Sequence, residues 1–148
     1  MESLERILHA ACFTPAGHGR WGIPIMIWGP PGVGKTARVR QVARRSQLPF
    51  VELPIGARGE GAFGVVPVPA PGTNGDSSLR LCYPPPDWTD TVAHGGIVFL
   101  DEISRAAPAL MPYLLGLTLD RIVGSHYLGD RVRVLAAGNP PESVGGWD

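Results

Sequence analysis

An α/β fold of three layers, with a mostly parallel sheet of four core strands and inserted β-hairpins, is predicted by three features of the chain. A short apolar run, Ile25-Met26-Ile27-Trp28, leads into a glycine-rich turn and then into a helical pattern from Lys35. A second run, Ile97-Val98-Phe99-Leu100, is apolar at consecutive positions, as in a strand buried on both faces, and ends in Asp101-Glu102. The third, Val132-Arg133-Val134-Leu135-Ala136-Ala137, stops at Gly138-Asn139-Pro140.

Composition narrows the class. At 148 residues the chain is long enough for one domain with a buried core, and 44 % hydrophobic against 18 % charged residues is the balance of a soluble globular protein. Thirteen basic and thirteen acidic side chains cancel, so no overall field draws it to nucleic acid or to an acidic membrane. No apolar run approaches the roughly 18 residues of a membrane span. The opening Met1-Glu2-Ser3-Leu4-Glu5-Arg6 is charged where a signal peptide would be apolar, which predicts a cytoplasmic protein with no membrane partner. Cys12 and Cys82 stand far apart without a C-x-x-C, as reduced thiols would. His9, His18, His94 and His126 are scattered singly, and their spacing predicts no metal site.

Taken in order, Leu4, Ile7, Leu8 and Ala11 recur at helical spacing between Ser3 and Phe13, with Pro15 and Gly17 to end the segment. A loop over Thr14 to Gly22 precedes the first strand, about Pro24 to Trp28. Lys35 to Ser46 forms a helix with Val39, Val42 and Ala43 inward and Arg38, Arg40, Arg44 and Arg45 on a solvated side. Phe50 to Leu53 is the second strand. From Gly56 to Asp87 glycine and proline become dense. Val65 to Val68 and Leu79 to Tyr83 flank a turn-forming tip at Ala70 to Ser77, which predicts a projecting edge hairpin; a disordered linker competes on composition. Trp88 to His94 suits a short helix with Asp87 as its N-cap. A helix through Leu110, Leu114, Leu115 and Leu117 must begin near Pro108 or Ala109, so that Pro112 falls in its first turn. Arg121 to Leu128 suits a small hairpin turning at Gly124-Ser125, and 142–148 is a glycine-containing tail with no further strand.

The chemistry concentrates at the ends of the strands. Gly29-Pro30-Pro31-Gly32-Val33-Gly34-Lys35-Thr36 matches the phosphate-loop template G-x-x-x-x-G-K-[ST] at every fixed position, after a strand and before a helix. Such a loop turns backbone N–H groups toward phosphates over a helix N-terminus. Lys35 then reaches the β- and γ-phosphates, and the Thr36 hydroxyl ligates Mg²⁺. A chance glycine-rich turn is the plain alternative. Against it, Lys35 is the one lysine of the chain, arginine filling every other basic position except the histidines. Ligands in open α/β sheets bind at the carboxyl ends of the strands, which sets Asp101 and Glu102 beside this loop. Asp101 suits the metal site and Glu102 suits the deprotonation of an attacking water, unless the pair merely caps the next helix. Asn139 suits orientation of that water or contact with the γ-phosphate; an ordinary turn residue before proline competes.

With these elements in this order the chain resembles the AAA+ ATPases, a P-loop NTPase family, and within them the MoxR-type and dynein-related group. The likeness is carried by Trp28 to Thr36, by Gly64-Val65-Val66-Pro67-Val68-Pro69, by Phe99-Leu100-Asp101-Glu102-Ile103-Ser104-Arg105-Ala106, and by Ala136-Ala137-Gly138-Asn139-Pro140-Pro141-Glu142. By position it implies ATP and Mg²⁺ as ligands, Lys35 and Thr36 as the Walker-A pair, Asp101 and Glu102 as the Walker-B pair, and Asn139 as sensor 1. It further implies a hexameric homo-oligomeric ring that remodels a protein substrate, with hairpins at Val65–Tyr83 and Arg121–Leu128 acting on that partner. Ser104 stands where the family commonly has asparagine.

Family members continue past the equivalent of the tail into an arginine finger, a fifth core strand and a helical lid with a sensor-2 arginine. Residues 1–148 therefore read as a single partial AAA+ core, a fragment or a shortened relative, with Ile25–Trp28 expected at an exposed sheet edge. The finger contributes on the order of 10³ to 10⁵ in rate in related hydrolases, which favours binding over turnover for this chain alone. A non-catalytic nucleotide-binding or interaction module is the alternative. A GTPase switch is disfavoured because its N-K-x-D element needs a second lysine. A P-loop kinase fits adjacent acids less well than water activation does.

Overall fold

The computed structural model describes residues 3–72 and 78–140; positions 73–77 of the tip expected over Ala70 to Ser77, and the tail expected from 142, lie outside them. In chain order the elements are α1 (Ser3–Cys12), β1 (Ile25–Trp28), α2 (Lys35–Arg45), β2 (Phe50–Pro54), β3 (Val68–Pro71), β4 (Leu79–Cys82), β5 (Gly96–Asp101), α3 (Met111–Leu115), β6 (Ile122–Val123), β7 (His126–Tyr127) and β8 (Val132–Gly138). Four of them form one parallel sheet in the order β1-β8-β5-β2, with β1 at an edge among the described residues, as expected.

The alternation of side chains along a strand explains the layers. Ile97 and Phe99 of β5 point to one face, where they meet Leu8 of α1 and Val39 and Val42 of α2. Val98 and Leu100 point to the other, against Leu53, Phe63, Leu110, Leu114 and Leu117. All four β5 residues are fully buried, each contributing roughly 1.5–3 kcal/mol relative to exposure. The first helical layer is further tied by Arg45, which donates to buried Glu5 at 2.7 Å, so the basic side of α2 is not solvated throughout.

Register decides where the site falls. Trp28 pairs with Gly138, Pro54 with Asp101, and Leu100 with Ala136. Since all four strands run the same way, the residues that follow Trp28, Pro54, Asp101 and Gly138 emerge together at one rim.

The differences from expectation are local. The projecting hairpin exists, but its first strand is Val68–Pro71, with Val68 opposite Cys82 and Pro71 opposite Leu79. Val65 is drawn instead against the core beside Phe63, behind a left-handed Gly64 (φ 66°). Asp87 is not an N-cap: a 3₁₀ helix runs Asp87–Val92 with Pro86 before it, and the cap makes no side-chain bond. What holds that turn is Thr89, whose hydroxyl donates to Pro86 O at 2.8 Å, and Trp88, whose indole donates to Ala62 O at 2.7 Å. The leucine helix is a composite of a 3₁₀ turn (Pro108–Leu110), α3, and a π turn (Gly116–Asp120). Pro112 lies in the first turn of α3, where its missing N–H costs no helical bond. The small hairpin pairs Ile122 with Tyr127 across Gly124-Ser125. All four histidines are exposed.

Candidate nucleotide-binding site

Between β1 and α2 the loop turns on two left-handed glycines, Gly32 (φ 78°) and Gly34 (φ 83°). A Cβ at either would meet no protein atom within 4 Å. Their positive φ is therefore what demands glycine, and the space in front of them is open for a ligand. Pro30 and Pro31 restrict the approach, and α2 starts directly after Gly34 with no side-chain cap. Its first-turn N–H groups thus have no carbonyl partner inside the helix and face outward, with the positive end of the helix dipole behind them.

Lys35 folds its ammonium back over this loop. The Nζ donates to Gly29 O at 2.7 Å, to Pro30 O at 3.0 Å and to Asn139 Oδ1 at 2.9 Å. The Thr36 hydroxyl donates to Asp101 Oδ2 at 2.6 Å, and the other oxygen of Asp101 accepts the Glu102 N–H at 2.8 Å. Glu102 itself adopts a left-handed backbone (φ 55°), and its carboxylate faces Arg105 Nη1 at 3.5 Å. Asn139 is tied from behind, its N–H donating to Ser104 Oγ at 3.2 Å.

Residues separated by more than 100 positions thus border one cleft of about 390 Å³, among them Gly32, Gly34, Lys35, Thr36, Asp101, Glu102 and Asn139. Pro31 borders it as well, whereas Gly29, Pro30 and Val33 do not. Gly29 and Pro30 act through their carbonyls on Lys35, and Val33 is half exposed.

Two residues escaped the reading of the sequence. Arg40 borders the cleft and pairs with Glu52 of β2; it lies four positions after Thr36, hence on the same helix face, and that spacing was the available signal. Ser104 holds the Asn139 backbone, a contact between loops of different strands that no local pattern announces.

The donor set fits a nucleotide triphosphate with a hard divalent cation. Open space in front of two glycines, free N–H groups and an ammonium suit phosphate oxygens. A hydroxyl and a carboxylate in mutual contact are oxygen ligands of the kind Mg²⁺ takes, one or two from protein and the rest from phosphate and water. Among the described residues no cluster of three or more His, Cys, Asp or Glu could hold a metal.

The fold and this arrangement define an α/β ATPase domain of the phosphate-loop class. The family described as "ATPase family associated with various cellular activities (AAA)" matches residues 25–145, and the chain belongs to it. Lon protease 2 of Bacillus subtilis (strain 168) is 30 % identical over 130 residues, covering 67 % of this chain. The chain spans 21 % of that relative's length. The crystal structure of NtrX from Brucella abortus superposes with a TM-score of 0.55 at 20 % identity, over 93 % of this chain and 30 % of that one, a likeness of fold.

Proposed function

We propose that the chain is the nucleotide-binding core of a MoxR-type AAA+ ATPase that binds Mg·ATP in this cleft and hydrolyses it. The reading is supported above all by the convergence of Lys35 on Asn139 and of Thr36 on Asp101, four residues from three strand ends. Lys35 would exchange the Asn139 amide and loop carbonyls for β- and γ-phosphate oxygens. Thr36 and Asp101 would hold Mg²⁺, which when bound neutralises charge on the phosphate oxygens. Glu102 would accept the proton of the attacking water, and Asn139, freed from Lys35, would orient that water or the γ-phosphate. The MoxR-like stretches at Gly64–Pro69 and Ala136–Glu142 extend the proposal to a cytoplasmic hexameric ring acting on a protein partner.

Equilibrium ATP binding tests it. Lys35→Ala removes charge-assisted bonds worth roughly 1.5–3 kcal/mol, so affinity should fall about 10- to 100-fold with the melting temperature nearly unchanged; parental affinity in the variant overturns the proposal. A second reading, a non-catalytic nucleotide-binding module, is favoured by the Arg105 guanidinium facing Glu102. ATP turnover by this chain alone would exclude it.

A further inference from the structure

At the rim opposite the phosphate loop, where β2, β5 and β8 begin, Pro49, Gly95 and Arg131 border a cleft of about 560 Å³ together with Phe13, Trp21 and Arg133. That volume is in the range of small-molecule sites, roughly 300–1,000 Å³. Its charge is one-sided, since no carboxylate among the described residues borders it. Asp130, next in sequence, is engaged elsewhere: its Oδ1 accepts the Tyr127 hydroxyl at 2.5 Å.

Surface arginines are routine, but Arg133 is 7 % exposed. Its Nε donates to Cys12 O at 2.9 Å and its Nη1 to Arg131 O at 2.5 Å. Both acceptors are neutral carbonyls. Burial, and after it the charge of Arg131, lowers the Arg133 pKa. Two arginines thus border one cleft with no carboxylate among its described lining residues, which leaves their positive charge unmatched there. The backbone is built to keep them there: both Gly22 and Gly95 are left-handed, and a Cβ on Gly22 would lie 2.4 Å from Arg133 Cγ and one on Gly95 2.8 Å from Arg131 Cβ. The rings complete the chemistry. Phe13 lies with its centroid 5.3 Å from the Arg133 guanidinium carbon. Trp21, whose backbone N–H donates to Asp130 O at 2.8 Å, is still 39 % exposed.

We propose that this cleft is a second binding site, taking a small anion that carries an aromatic ring, its carboxylate or phosphate meeting Arg131 and Arg133 and its ring lying against Trp21 and Phe13. Arginine forks favour planar anions, and ring stacking adds affinity that a simple ion lacks. The site is independent of the phosphate loop.

The test uses the full chain and indole-3-acetate as probe, with indole and acetate as its separate halves. Binding is read from the Trp21 indole N–H signal in nitrogen–proton correlation spectra, assigned with Trp21→Phe, and from calorimetry. Indole-3-acetate should shift that signal saturably and bind at least about tenfold tighter than either half. Exposed Arg131 changed to Ala should weaken it about tenfold while ATP affinity is kept, and Lys35→Ala should leave indole-3-acetate binding intact. Equal affinity for indole and indole-3-acetate, no saturable shift of Trp21, or full binding by both Arg131→Ala and Arg131→Gln overturns the proposal. Loss of binding in Lys35→Ala would assign the probe to the other rim and overturn it equally.

Discussion

At the rim where the core strands end, Lys35, Thr36, Asp101 and Asn139 hydrogen-bond in pairs, side chain to side chain, at 2.9 and 2.6 Å. At the rim where they begin, Arg121 and Arg133 are buried and donate to backbone carbonyls instead. Arg121 donates to Val132 O and Gly22 O, both at 3.0 Å, and to Thr118 O, so one guanidinium joins the approach to β1, the π turn and the start of β8. Burial, and behind it the nearby Arg20 charge, lowers the Arg121 pKa. The contrast teaches what each kind of contact is suited to. Polar side chains that partner one another beside an open cleft can exchange those partners for a ligand at little net cost. A buried cation such as Arg121, bonded only to backbone and bordering neither cleft, cannot leave without stranding carbonyls, so it serves the fold.

That division is open to direct attack. Glu102→Gln keeps the shape of the first rim and removes the base proposed for it; ATP turnover should fall about 10²- to 10⁴-fold while ATP affinity holds. Arg121→Ala should do the reverse. With three carbonyls stranded, urea unfolding should show a loss of roughly 3 kcal/mol or more, and the ATP affinity of the folded fraction should stay at the parental value. If Arg121→Ala instead spares stability, the distinction between the rims fails. Gly34→Ala straddles the two, because its φ of 83° strains any Cβ. A penalty of roughly 1–2 kcal/mol should appear in the melting curve, along with weaker ATP binding. Ser104→Ala is the finest probe. Losing the bond to the Asn139 N–H, worth about 1 kcal/mol, should slow turnover about fivefold without changing ATP affinity; a change in affinity alone would mean that Ser104 serves the phosphate loop.

Most of the first rim was legible because its chemistry is local. Gly32, Gly34, Lys35 and Thr36 are neighbours in sequence, and the helix that follows them is set by the 3.6-residue recurrence of Val39, Val42 and Ala43. The placement of Asp101 and Glu102 was legible because a strand with an apolar run at consecutive positions has to be central, and its carboxyl end falls at the rim where the cleft lies. The second rim was opaque for the opposite reason. Arg133 sits in a strand pattern as an anomaly among apolar residues, and Arg121 reads as the start of a hairpin. Their partners, Cys12, Gly22, Thr118 and Val132, include residues up to 121 positions away, and they are bound through backbone atoms that carry no residue signature. The shift of β3 to Val68–Pro71 has a similar origin, since the core claimed Val65.

By itself, then, the chain's order of residues determined an α/β sheet with a phosphate loop and two acids at strand ends, because hydrophobic periodicity and glycine stereochemistry act over a few neighbouring residues. Only the tertiary structure decided that Asn139 closes on Lys35, that Ser104 stands behind it, and that two buried arginines hold the far rim. Those contacts depend on parallel register between strands distant in sequence, which sums many weak packing preferences that no single segment contains.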